Sequence, residues 1–137
     1  MTVALSGCSY SYEVVASLEG GRVIFAVSPK SPQRPDCVRR IEVIPENGQT
    51  ASWEESVDYE DDCANRFPLP YGATLKGHHQ EGVQTAVAKP LQRGVIYQIS
   101  TTTGATGYGG GRFVIQSDGH VVNLPYRDSK LAAENGS

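Results

Sequence analysis

The sequence predicts an all-β fold, a single immunoglobulin-like β-sandwich of about seven to nine short antiparallel strands. Three observations carry this expectation. Apolar residues recur with period two rather than 3.6 wherever they recur at all, as in Tyr10, Tyr12, Val14, Ala16 and Leu18. Turn signals of the hairpin type, Gly20-Gly21, Asn47-Gly48 and Asp118-Gly119, punctuate the chain at strand-length intervals. A tryptophan, Trp53, lies between Cys37 and Cys63, which resembles the immunoglobulin-like plan in architecture but not in the cysteine spacing of antibody domains. The chain of 137 residues is 39% hydrophobic, enough for one domain with a real core.

Taken in order, residues 1–8 stand apart from the alternating pattern, 9–126 form the domain, and 127–137 are a polar, small-residue tail. Tyr10 to Leu18 is a half-buried strand, and Gly20-Gly21 turns it into a return strand carried by Val23, Phe25 and Val27. Ser28 to Asp36 holds Pro29, Pro32 and Pro35 and is a loop. Cys37 to Ile44 is the next strand, with Cys37, Ile41 and Val43 on one face and Arg40 and Glu42 on the other. Asn47-Gly48 returns the chain through Ala51, Trp53 and Val57. The acidic run Val57 to Asp62 is a solvated loop. Phe67 to Gly72, with Pro68 and Pro70, is an extended edge at best. Val83 to Ala88 is a candidate short strand, and Val95, Tyr97 and Ile99 mark a firm one. Thr101 to Arg112 reads as a long glycine-rich hairpin loop leading into a strand at Phe113 and Ile115. Asp118-Gly119 then turns that strand into Val121 to Leu124, and the tail has room for one helical turn at Ser129 to Ala133.

Net charge is −3, with no basic stripe, so a nucleic-acid partner is not expected. The longest apolar runs are a handful of residues, too short for a membrane-spanning helix, so any membrane link is an acyl anchor. Three cysteines form one pair and leave one over. Cys37 and Cys63 flank strand-like segments and are expected to pair in an exported protein. By chain entropy that bridge stabilises by roughly 3 kcal/mol.

Metal and cofactor chemistry find little purchase. His78 and His79 are adjacent, so on an extended segment they point to opposite faces, and Glu81 adds no fixed geometry. His120 flanks a turn. The run Glu54, Glu55, Asp58, Glu60, Asp61 and Asp62 lacks the glycine of a calcium loop and reads as a solvated acidic patch, able to steer a cationic partner. The glycine segment precedes a strand and lacks the Gly-Lys-Ser/Thr ending of a phosphate loop, so no cofactor is expected. No nucleophile elbow occurs, and the carboxylates cluster rather than pair. A mobile glycine loop presenting Tyr108 beside Arg112 is instead a candidate recognition tip. The expected partner-binding residues are therefore Tyr108, Arg112, Glu54, Glu55 and Asp58, with charge reversal at Glu55 and Asp58 slowing association.

Leu5-Ser6-Gly7-Cys8 resembles the lipobox of bacterial lipoproteins, in which the signal peptide is cut before a cysteine that then carries lipid. Met1 to Ser6 are too few to supply a charged region and an apolar segment of ~7–15 residues, so either an apolar segment precedes Met1 or the match is chance. The resemblance implies lipidation of Cys8 and a place on the periplasmic face of the envelope. Cys37, Trp53 and Cys63, then Phe67-Pro68-Leu69-Pro70-Tyr71-Gly72, Lys89 to Tyr97 and Gly109-Gly110-Gly111-Arg112-Phe113, together resemble small proteobacterial lipoproteins. That group includes immunity lipoproteins of contact-dependent secretion systems, which implies a non-enzymatic protein that binds and neutralises a toxin or wall hydrolase. Thr103-Gly104-Ala105-Thr106-Gly107-Tyr108 is similar to the Ser-Gly-x-x-Tyr loop of periplasmic lysozyme-inhibitor lipoproteins, with threonine for serine and an extra residue before the tyrosine. Tyr71 to Lys76-Gly77 is similar to a second motif of some of them. A structural or assembly accessory of the envelope is the alternative reading, and an enzyme ranks behind both.

Overall fold

Tyr10–Glu19 forms β1, a ten-residue strand whose Tyr12, Val14 and Ala16 face the core in the alternation the sequence displays. The computed structural model describes residues 10–48, 50–58, 63–78, 85–104 and 107–126. Gly20 and Gly21 both take positive φ, 57° and 81°, the pair of values a tight hairpin turn demands, and lead into β2, Arg22–Val27. The remaining strands are β3 (Arg40–Pro45), β4 (Trp53–Ser56), β5 (Leu69–Pro70), β6 (Ile96–Thr102), β7 (Gly107–Ile115) and β8 (Val121–Leu124). The described residues contain no helix.

The all-β expectation holds, but the sandwich of antiparallel strands does not. One mixed sheet runs β4-β3-β6-β7-β1-β2-β5, with β8 also on β7, and curls into a half-barrel. The reason lies in β1, which belongs to both halves. Tyr10–Glu13 pair parallel with Gly107–Gly110 of β7, whereas Val14–Glu19 pair antiparallel with β2. A strand that changes partner midway joins what would otherwise be two sheets. Where β1 leaves β7, the side chain of Asn123 takes over. Its Oδ1 accepts from the Ala16 N–H at 2.7 Å and its Nδ2 donates to the Ala16 carbonyl at 2.8 Å. The amide thus satisfies backbone groups that have lost their ladder.

The curl is drawn together at its two edges. Glu54 of β4 and Ala86 exchange backbone hydrogen bonds, the Lys89 N–H donates to the Ser52 carbonyl, and the Tyr71 hydroxyl donates to the Lys89 carbonyl at 2.6 Å with the Ser52 carbonyl 3.3 Å away. The chain at 86–89 therefore covers the β4 edge and ties it to Tyr71, which follows β5. Covering removes an exposed pairing template. Inside the curl, Phe25 of β2 meets Trp53 of β4, Phe113 of β7 and Tyr71 at centroid distances of 6.4, 5.7 and 6.4 Å. These rings carry much of the core's burial.

Burial pushes the Tyr71 phenol up to about 12, from an unperturbed value of about 10.0. Because the folded value is raised, its contribution to stability is complete below pH 10 and is lost as pH rises through about 12. Since the ring is only half-buried, a loss of about 1–2 kcal/mol over that window is expected. Urea titrations between pH 9 and 12 should show wild type losing that much more than Tyr71→Phe. Parallel curves for the two proteins would refute the assignment.

Several local expectations hold. The proline loop, the turn at Asn47-Gly48, the short edge at β5 and the hairpin at Asp118-Gly119 all form where the sequence places them. Cys37 and Cys63 form the disulfide, with Cα atoms 5.7 Å apart, tying the approach to β3 to the approach to β5. Other readings need correction. The expected strand from Cys37 begins at Arg40, and Cys37 itself makes one isolated bridge to Arg66. Among the described residues of the expected strand at 83–88, only Ala86 pairs, and singly. Thr101 to Arg112 is not a long loop. Strand β6 continues to Thr102 and β7 starts at Gly107, so Tyr108 pairs with Thr102 and Ser11 within the sheet. The segment around Cys8, residues 59–62, His79 and Glu81, Val83, and the tail with its candidate helical turn lie outside the described residues.

Candidate functional site

The glycine run of β7 is explained by what lies over it. A Cβ on Gly107 would fall 2.6 Å from the Tyr10 hydroxyl, and one on Gly109 would meet both the Tyr12 ring and Thr101 Oγ1 at 2.3 Å. At Gly110 the Tyr126 ring occupies the space, and at Gly111 the Val14 carbonyl oxygen does, 2.0 Å away. Tyrosine rings from β1 and from the end of β8 fill the gaps that missing side chains leave in the sheet. Glycine in a strand interior is weak by itself, and aromatic cover of this kind offsets the weakness.

The floor beneath the rings is fixed by a buried hydrogen-bond chain. Thr103 Oγ1 donates to the Cys37 carbonyl at 3.0 Å, so its single proton is spent. Tyr12 then donates to Thr103 Oγ1, and Thr101 Oγ1 donates to the Tyr12 hydroxyl, both at 2.8 Å. Burial raises the Tyr12 phenol above its ordinary value, against the pull of these two hydrogen bonds. The disulfide, the end of β6 and the Tyr12 ring over Gly109 are thereby linked in one hydrogen-bonded unit.

A groove of about 270 Å³ opens above this unit, between Tyr108 and Tyr126 on one side and Glu13, Lys30 and Pro32 on the other. Its proline wall is tied to β1 by the Glu13 N–H donating to Ser31 Oγ and by the Ser28 N–H donating to the Glu13 carbonyl. Tyr108 on β7 is 49% exposed and Tyr126 beyond β8 is 37% exposed, so both rings show a face to solvent. A tyrosine ring loses little conformational entropy on binding.

No protein-family model, curated protein or solved structure matches this chain.

The sequence-predicted site residues are not brought together. Tyr108 lines the groove, although on a strand rather than a mobile loop tip. Arg112, further along β7, is held by both oxygens of Glu46 and by the Pro125 carbonyl. That pair lowers the Glu46 carboxyl below its usual range and raises the guanidinium, chiefly through the hydrogen bonds between them. Glu54 and Glu55 are buried, which corrects the expectation of a solvated acidic patch at these two positions. Register places Glu54 directly opposite Glu42 on the outer face, and Arg40 sits at 2.7 Å from one and 3.8 Å from the other, cancelling their repulsion. Glu55 pairs with Ile41, on the core face, where its carboxylate accepts the Leu75 N–H at 3.3 Å. Reversing the charge at Glu55 would therefore bury a cation in the core instead of probing association. Asp58 is half-buried, and its N–H donates to the carbonyl of His78. His120 is exposed and pairs with Asp118 at the β7–β8 turn.

Sequence reasoning missed Tyr126, Lys30 and Glu13 as neighbours of Tyr108. A signal for part of this exists in retrospect. Tyr10 and Tyr12 repeat with the same period as Gly107 and Gly109, the spacing that rings covering glycines across a ladder require.

Proposed function

We propose that this chain is a non-enzymatic lipoprotein of the bacterial envelope, held at the periplasmic face by lipid on Cys8, that binds and neutralises a toxin or lysozyme-like enzyme. The observation carrying the binding role is the exposed Tyr108 ring on β7, with Tyr126 beside it, at a groove of about 270 Å³. Exposed aromatics next to a pocket are the residues on which interface energy concentrates. Net charge of −3 and Glu13 in the groove wall favour a cationic partner, with Lys30 setting a local exception. The lipobox-like Leu5-Ser6-Gly7-Cys8 and the bridged cysteine pair support the envelope address.

The test is capture of a partner from envelope extract, followed by titration against wild type and Tyr108→Ala. Tyr108→Ala should weaken binding by ~1–3 kcal/mol while the variant still folds, as circular dichroism would show. In cells, Cys8→Ser should move the protein from the membrane fraction to the soluble periplasm. Equal affinities would remove the Tyr108 surface from the interface, and unchanged fractionation would remove the anchor.

A further inference from the structure

A second groove, of about 590 Å³, lies at the far end of β1, about 20 Å along the strand from the Tyr108 surface. Leu18, Leu91 and Ile115 give it apolar walls, and Arg22 and Arg93 bring two cations into it. Leu18 is 48% exposed at the rim, an apolar side chain left to water.

Among the described residues, Arg22 and Arg93 are exposed arginines without a carboxylate partner, a state they share with Arg34, which donates to the Pro29 carbonyl away from this groove. Arg40, Arg66 and Arg112 each reach a carboxylate. Arg22 donates to the Tyr71 carbonyl at 3.3 Å and Arg93 to the Ser117 carbonyl at 2.8 Å, neutral acceptors that fix each guanidinium without balancing its charge. Arg93 also lies against Gly119, 3.5 Å from where a Cβ would be, so the β7–β8 turn leaves it room. The acid of this groove, Asp118, is already engaged. The backbone N–H and the ring of His120 both bind it and hold its carboxyl below the usual range. Two positioned cations with unused donors, facing apolar walls, are an arrangement complementary to one ligand chemistry.

We infer that this groove binds a small ligand with an anionic head, phosphate or carboxylate, on an apolar body. The guanidiniums would take the head in forked hydrogen bonds, and Leu18, Leu91 and Ile115 would cover the body. A volume of about 590 Å³ falls within the range of small-molecule sites, about 300–1,000 Å³. The site is independent of Tyr108, so either reading can fail alone.

Calorimetric titration with hexyl phosphate, inorganic phosphate and hexanol tests both halves of the recognition. Hexyl phosphate should bind at least tenfold more tightly than either fragment. Arg22→Gln and Arg93→Gln should each weaken it by roughly tenfold or more, the loss expected for a charge-assisted contact. Arg34→Gln, which removes the same charge from the proline loop, should leave it unchanged. Flotation with phosphatidylglycerol vesicles separates the sources. Binding to vesicles that Arg22→Gln abolishes assigns the head to lipid, and binding to hexyl phosphate alone assigns it to a soluble ligand. Equal affinity for hexanol and hexyl phosphate, or equal weakening by Arg34→Gln, would overturn the proposal.

Discussion

Gly111→Ala should destabilise the protein by about 4 kcal/mol or more, beyond the ~1–3 kcal/mol usual for an overfilled core. The added methyl would stand 2.0 Å from the Val14 carbonyl oxygen and 3.1 Å from its carbon, with Ile99 Cδ1 at 3.4 Å on another side. Both crowding partners on β1 are backbone, so no rotamer change relieves the clash. Gly111 is itself held opposite Ile99 in the β6 ladder, and Val14 opposite Val27 in the β2 ladder. Separating β1 from β7 therefore breaks hydrogen bonds on both sides of the crossing. The neighbouring glycines should rank below it. At Gly109 the obstacle is the buried Tyr12 ring, pinned by two hydroxyl hydrogen bonds, so Gly109→Ala should cost about 2–3 kcal/mol. At Gly110 the obstacle is Tyr126, whose partly exposed ring can swing away, and about 1 kcal/mol is expected. Urea midpoints of the three variants, read by far-UV circular dichroism, check the order. If Gly111→Ala unfolds with the wild type, the close approach of β1 and β7 is wrong.

The same glycines show where sequence reading succeeds and where it stops. Period-two burial at Tyr12, Val14 and Ala16, and the turns at Gly20-Gly21 and Asp118-Gly119, are local signals, and each is realised as read. Gly109-Gly110-Gly111 read as a loop because glycine weakens a strand by its own propensity. The rings that compensate come from Tyr12 and Tyr126, distant in sequence on one side and on the other. Parallel pairing of β1 with β7 is likewise a long-range choice, and no turn type announces it. Glu55 read as surface because its neighbours in sequence are acidic. Its place beside Ile41, under the Leu75 N–H, depends on a segment twenty residues away. Of the candidate site, Tyr108 was legible as an exposed aromatic. Its place on a strand was not, since that depends on pairing with Ser11 and Thr102.

Trp53→Ala should cost about 3–5 kcal/mol, the usual loss for a fully buried tryptophan. Trp53 is 1% exposed and stands where the curl comes together. It stacks on Phe25 of β2 at 6.4 Å and 17°, and meets the edge of Tyr71 at 5.2 Å and 67°. One indole thus joins β4, at one end of the strand order, to β2 and Tyr71 at the other. Its loss removes apolar burial and also the contact that holds those edges over a common core. Trp53→Phe keeps a ring and should recover about half of the loss. The geometry further requires coupling. In a double-mutant cycle of Trp53→Leu with Tyr71→Leu, each change removing one ring, the interaction term should reach ~0.5–1.5 kcal/mol, as edge-to-face pairs do. The chain has a single tryptophan, so unfolding must be followed by circular dichroism instead of indole fluorescence. An additive cycle would mean that Trp53 and Tyr71 do not touch in solution. If Trp53→Ala also stayed within about 1 kcal/mol of wild type, the edges would be held by the Glu54–Ala86 and Ser52–Lys89 backbone bonds alone, and the half-barrel would close without its aromatic centre.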